Sequence, residues 1–132
     1  MSALVLDAGA LIALDRNDRG VWAMLRAAAD DDALVRVPAG ALGQVWRHGA
    51  RQALLARALR HCEEVPLDGA QARAAGTLCR ATTTHDVIDA SVALVAAGVA
   101  ADGVTPLLTS DPAELSRLLD VLDAEQVRIV PV

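Results

Sequence analysis

Apolar positions fall into two rhythms along this chain. Four short runs read as strands bounded by turn residues: Ala3-Leu4-Val5-Leu6, Ala33-Leu34-Val35-Arg36-Val37 closed by Pro38, Val104 to Thr109, and Val127-Arg128-Ile129-Val130 ended by Pro131. A fifth, Glu63 to Leu67, is stopped by Pro66 and belongs near a sheet edge. Between them, apolar residues recur at helical spacing. The predicted helices run from Ala10 to Asp15 behind Gly9, from Val21 to the acidic run Asp30-Asp31-Asp32, and from Ala39 through Leu42, Val45 and Trp46. Further helices are predicted over Arg51–His61, over Gly69–Arg80 with Asp68 as cap, over Val87–Ala101, and from Ser110-Asp111-Pro112 through Leu122. Strands alternating with helices imply a mostly parallel five-stranded sheet covered on both faces, a three-layer α/β/α sandwich.

Composition narrows this picture. At 132 residues the chain has room for one core, so residues 1–132 are read as a single domain. Hydrophobic residues make up 54%, without Phe or Tyr, which predicts an aliphatic core and excludes disorder. No apolar run reaches the ~18 residues of a membrane span and no signal-peptide pattern opens the chain, so no membrane role and a cytoplasmic location are expected. Cys62 and Cys79 lack metal or redox spacing and read as reduced thiols.

Charge is unevenly placed. The net charge is −5, yet no acid occurs from Ala33 to Cys62, where Arg36, Arg47, Arg51, Arg57 and Arg60 cluster. A local basic surface of this kind is compatible with a polyanion partner. His48, His61 and His85 have no metal-set spacing, and only His85, beside Asp86, adjoins an acidic group of interest.

The chemistry lies in carboxylates. Leu4-Val5-Leu6 runs into Asp7, and Leu107-Leu108-Thr109-Ser110 runs into Asp111; in parallel strands both acids reach one sheet edge, where open α/β folds bind ligands. Asp86 and Asp89, three apart, share a face in the first turn of an otherwise apolar helix. Each alone reads equally well as a helix cap or turn residue. Together they repel, by roughly 4 kcal/mol for a pair ~4 Å apart at an effective dielectric near 20. A hard cation such as Mg²⁺ or Mn²⁺ would relieve that repulsion and could assist phosphodiester hydrolysis.

Four segments, LVLDAGALIAL, VPAGALGQVWR, HDVIDASVALVA and LLTSDPAELSRLL, resemble in order and spacing the PIN-domain family, and the VapC-type ribonuclease toxins of toxin–antitoxin pairs within it. The resemblance spans essentially the whole chain. It implies a metal-dependent endoribonuclease with a five-stranded sheet, Mg²⁺ or Mn²⁺ as cofactor, RNA as substrate, a homodimer, and a small antitoxin protein as partner. Asp7, Asp89 and Asp111 match the family's acids, with Asp86 as an additional metal ligand. Thr109 and Ser110 match the small hydroxyl residues before the last acid. Gln44 stands where the family usually has Glu, which removes a charge and a carboxylate base from the catalytic set.

Arg47 and Arg51 are expected to contact RNA phosphates or a partner's tail, and Thr109 and Ser110 are expected on the same RNA- or partner-binding surface. A second class of function stays open on Gln44: a PIN-like module that binds RNA or protein with weakened or absent catalysis. Other uses of a strand-end Asp fit poorly. Position 9 is Gly, against a haloacid-dehalogenase-type phosphatase; no acid pair precedes Asp7, against a receiver domain; and no GxGxxG, GxxxxGK or nucleophile-elbow motif occurs.

Overall fold

Alternation inside the strands decides how the layers form. In β1 (Ala3–Leu6), Ala3 and Val5 point to one side and Leu4 and Leu6 to the other, and all four are fully buried. A strand without a polar face needs cover on both sides, and it receives it. The computed structural model, which describes residues 1–99 and 102–132, places five parallel strands in the order β3-β2-β1-β4-β5. The others are β2 (Leu34–Pro38), β3 (Glu63–Val65), β4 (Thr105–Thr109) and β5 (Val127–Pro131). The short strand β3 lies at an edge, as Pro66 predicts.

Seven helices cover the sheet among the described residues: α1 (Ala8–Asp15), α2 (Arg19–Asp30), α3 (Ala39–Val45), α4 (Ala53–Leu59), α5 (Gly69–Thr82), α6 (Val87–Ala97) and α7 (Pro112–Val121). One apolar cluster joins Val5 and Leu107 to Leu78, Val92 and Leu115 of the α5–α6–α7 layer. The other joins Leu4, Leu6 and Leu108 to Leu11, Leu25 and Leu55 of the α1–α2–α4 layer. The expected three-layer α/β/α sandwich is therefore present, with a sheet that is parallel throughout.

Several predicted helix boundaries move, three of them for a plain local reason. The first helix begins at Ala8 rather than Ala10, because the Asp7 side chain caps it. The helix predicted over Arg51–His61 is a 3₁₀ turn at Gly49–Arg51 followed by the shorter α4. Between them Gln52 leaves helical geometry, and its buried amide accepts from the Arg47 and His48 N–H groups while donating to the Val45 carbonyl at 3.0 Å. The helix predicted to reach Ala101 ends at Ala97 with Gly98 as its cap; Ala100 and Ala101 lie outside the described residues. Among the described residues no helix is long and apolar enough to cross a membrane.

Candidate active site at the carboxyl edge of the sheet

The strand order locates the site. From β1 the chain moves outward through β2 to β3, then crosses back to place β4 on the other side of β1. At such a switch point the connections leave in opposite directions and open a crevice at the carboxyl ends. The two strands flanking it are those that end in Asp7 and Asp111. The Asp7 N–H extends the pairing by donating to the Leu108 carbonyl at 3.1 Å, which ties the end of β1 to β4.

Every acid of the predicted set stands at a helix N-terminus. Asp7 caps α1, its Oδ1 accepting from the Gly9 N–H at 2.8 Å and the Ala10 N–H at 3.4 Å. Asp86 caps α6 by accepting at Oδ1 from the Asp89 N–H at 2.9 Å, which leaves Asp89 itself in the first turn. Asp111 caps α7 by accepting at Oδ1 from the Glu114 N–H at 3.4 Å. The capping and site readings are thus compatible. A carboxylate has two oxygens, and each cap bond uses Oδ1.

Electrostatics show that these acids sense one another. Asp89 is pushed up to about 7, first by burial and then by the charges of Asp86, Asp111, Asp7 and Glu114. Asp7, only 5% exposed, is raised by burial and by Asp111, against the lowering effect of hydrogen bonds from Thr109, Gly9 and Ala10. The buried Thr109 hydroxyl serves both strand ends, since its oxygen also accepts from the Asp111 N–H at 2.9 Å. Its position is that of a positioning group between the acids. Ser110 is exposed and lies against Gly9, where an added Cβ would overlap its side chain and approach its backbone nitrogen to 2.8 Å.

Two members of this arrangement escape the sequence pattern. Gly9 is needed for the contact between the β1–α1 and β4–α7 turns. Glu114 is largely buried in the first turn of α7; its Oε2 accepts from Arg117 at 2.8 Å, while its buried Oε1 has no hydrogen-bond partner. The Asp111-to-Glu114 spacing repeats that of Asp86 to Asp89, a signal that was available in the chain.

Gln44 stands on α3, four residues after Gly40, whose approach to Ile88 brings α3 against the start of α6. An i, i+4 pair shares a helix face, so Gln44 belongs to the side of α3 that meets α6. Its side chain is exposed. The Arg47 guanidinium turns back on α3, donating to the carbonyls of Gly43, Gln44 and Trp46. Arg51 is exposed in the 3₁₀ turn, and His85 is exposed beside Asp86.

The donors fit a hard divalent cation: carboxylate oxygens, with one buried oxygen on Glu114 left without a partner. Among the described residues, no group of three or more His, Cys, Asp or Glu side chains is placed to hold a metal ion as it stands. Asp7, Asp89 and Asp111, with Asp86 and Glu114 beside them, are the residues that would have to draw together to hold one. Cys79 is buried nearby; burial first, then Asp86, Glu114 and Asp89, raise its thiol pKa and keep it protonated. Burial and Glu64 push Cys62 up to about 12, so neither thiol is a ready nucleophile.

No protein-family model and no curated protein matches the sequence. Among solved structures, the chain is similar to one in VapBC2 from Rickettsia felis bound to a DNA fragment from their promoter. The TM-score is 0.67 at 11% sequence identity, and the match covers 98% of this chain and 98% of that chain. At this identity the likeness concerns the backbone alone, and what it establishes is that the two chains share one α/β fold.

Proposed function

We propose that this chain is a Mg²⁺- or Mn²⁺-dependent endoribonuclease and the toxin of a toxin–antitoxin pair. The observation that carries the reading is the convergence of Asp7, Asp89 and Asp111 at the switch point, where burial first and then the charges of Asp86, Asp111, Asp7 and Glu114 push Asp89 up to about 7. Acids raised in this way bind a divalent cation in exchange for protons. When bound, the cation supplies charge that offsets the carboxylates and the phosphate and polarises a water for attack on phosphorus.

The chain's own residues have separable tasks in this scheme. Asp7, Asp89 and Asp111 are the residues that would hold the cation, with Asp86 and Glu114 adding negative charge beside them. Thr109 fixes the relative position of Asp7 and Asp111. Gln44 presents an amide where a carboxylate would strengthen the set, and its oxygen ligates only weakly. Arg51 is free to meet a phosphate, whereas Arg47 must first release its carbonyls. A homodimer and a small antitoxin protein complete the proposal; the Rickettsia felis neighbour comes from a VapBC assembly on DNA.

The test is cleavage of single-stranded RNA with Mg²⁺ or Mn²⁺ by the natural protein and by Asp7→Asn. Metal-dependent cleavage reduced at least a hundredfold by the substitution is expected. Equal rates in the two would reject the site. A second reading draws on Gln44: a PIN-like module that binds RNA or protein without cleaving. Strong cleavage by the natural protein would exclude it.

A further inference from the structure

Away from the acids, the α1–α2–α4 layer carries a pocket walled by unpaired positive charge. Arg19 and Arg26 of α2 face Arg57 of α4 across a space of ≈ 320 Å³ that Asn17 and Trp22 also line. The two α2 arginines are seven residues apart, so they share a helix face by construction. Arg57 lies over the Trp22 ring, 4.8 Å from its centroid, and the ring is itself fixed by its Nε1–H donating to the Leu14 carbonyl at 3.0 Å. A guanidinium placed over an indole face can still offer N–H donors to an incoming oxygen.

Among the described residues, no carboxylate stands within ion-pair distance of any of the three. Asp18, the nearest acid in sequence, accepts from the Val21 N–H as the cap of α2. Three guanidiniums around one small space repel each other, and an anion between them reverses the sign. Their forked donors match phosphate oxygens.

The lining also discriminates between polyanions. The pocket offers guanidiniums, the Asn17 amide and a tryptophan already covered by Arg57, with Trp22 only 9% exposed. A repeating phosphodiester needs charge and donors of this sort. An acidic peptide would anchor by a large side chain in an apolar slot, and the adjoining recess lined by Trp22, Leu25, Arg26, Ala29 and His61 offers only ≈ 100 Å³ for one. The eight residues of α1, about 12 Å of helix, run from the Asp7 cap to the turn carrying Asn17. One RNA strand can reach both places.

We infer that the Arg19–Arg26–Arg57 pocket is a second contact for the RNA backbone, separate from the carboxylate edge. The identity of the polyanion rests on the nuclease reading; the anion site rests on the pocket. It is tested by fluorescence anisotropy of a short labelled single-stranded RNA in EDTA across a salt series. The proteins compared are the natural chain, R19Q/R26Q, which leaves Arg57 on Trp22, and R19Q/R26Q/R57Q, each checked for native circular dichroism.

The plot of log affinity against log salt is expected to flatten by about 0.7 for each lost phosphate contact, with at least tenfold weaker binding at low salt. In a W46F background, Trp22 emission should change on RNA addition and do so less in the double variant. Unchanged affinity and slope in folded R19Q/R26Q would overturn the assignment. So would a glutamate-rich peptide that binds in an arginine-dependent way while RNA does not. Mn²⁺-dependent cleavage is scored separately: arginine-dependent RNA binding without cleavage keeps the pocket and removes the nuclease, and cleavage with arginine-independent binding does the reverse.

Discussion

At the scale of single residues, the most informative group is Asp89. Its neighbours and its burial hold it at about 7, against the ordinary value of 3.8. The folded chain therefore keeps this proton through a window in which the unfolded chain has lost it. Folding takes up a proton there, and stability falls as pH rises from about 4 to about 7. Asp89→Asn removes the titrating group while keeping its shape. In EDTA the variant should show a flatter dependence of Tm on pH than the natural protein and a higher Tm at pH 8. Thermal melts across this range decide it; parallel curves would mean that Asp89 carries no unfavourable charge. Asp7 and Asp111 were readable from sequence because each ends an apolar strand. Glu114 was signalled only by its spacing from Asp111, which an ordinary helix start also supplies, and its buried, unpartnered oxygen is what distinguishes it.

Helices and turns explain both what the sequence foretold and where it fell short. Asp caps α1, α2, α5, α6 and α7 alike, so cap chemistry by itself cannot separate a site acid from a structural one. Asp18 and Asp68 have the local look of Asp7 and Asp111. What separates them is non-local: β1 and β4 are neighbours across the crossover, a fact of strand order that periodicity does not encode. The break at Gln52 was hidden for a similar reason, since its amide serves the preceding turn and not its own helix. The close approach of the two site turns depends on Gly9. Gly9→Ala would push a methyl into Ser110 side chain and backbone, and backbone cannot be displaced cheaply. Destabilisation of about 1–3 kcal/mol is expected from this overpacking. RNA cleavage should fall with it, even at temperatures where the variant is folded, because the turns bearing Asp7 and Asp111 are forced apart. Denaturant unfolding beside a cleavage assay would check this, and a fully active variant would show that the turns tolerate separation.

For the whole molecule, the acid edge is a place where stability and ligand binding oppose one another. Two aliphatic layers hold the sheet, and at the switch point between β1 and β4 the fold gathers carboxylates that repel. A cation that binds only the folded chain reverses that penalty, by about 2.7 kcal/mol when present at a hundred times its Kd. Mn²⁺ should therefore raise the Tm by several degrees, and by more at pH 8 than at pH 6, because it competes with the proton on Asp89. Asp7→Asn and Asp111→Asn should lose most of the gain. Gln44→Glu would add to this charge. A sixth carboxylate in the set should lower the Tm in EDTA, enlarge the rise with Mn²⁺, and increase Mn²⁺-dependent RNA cleavage at least tenfold. If the added carboxylate changes neither the metal-linked melting nor the cleavage, α3 lies outside the metal's reach and the natural glutamine is not a weakened ligand.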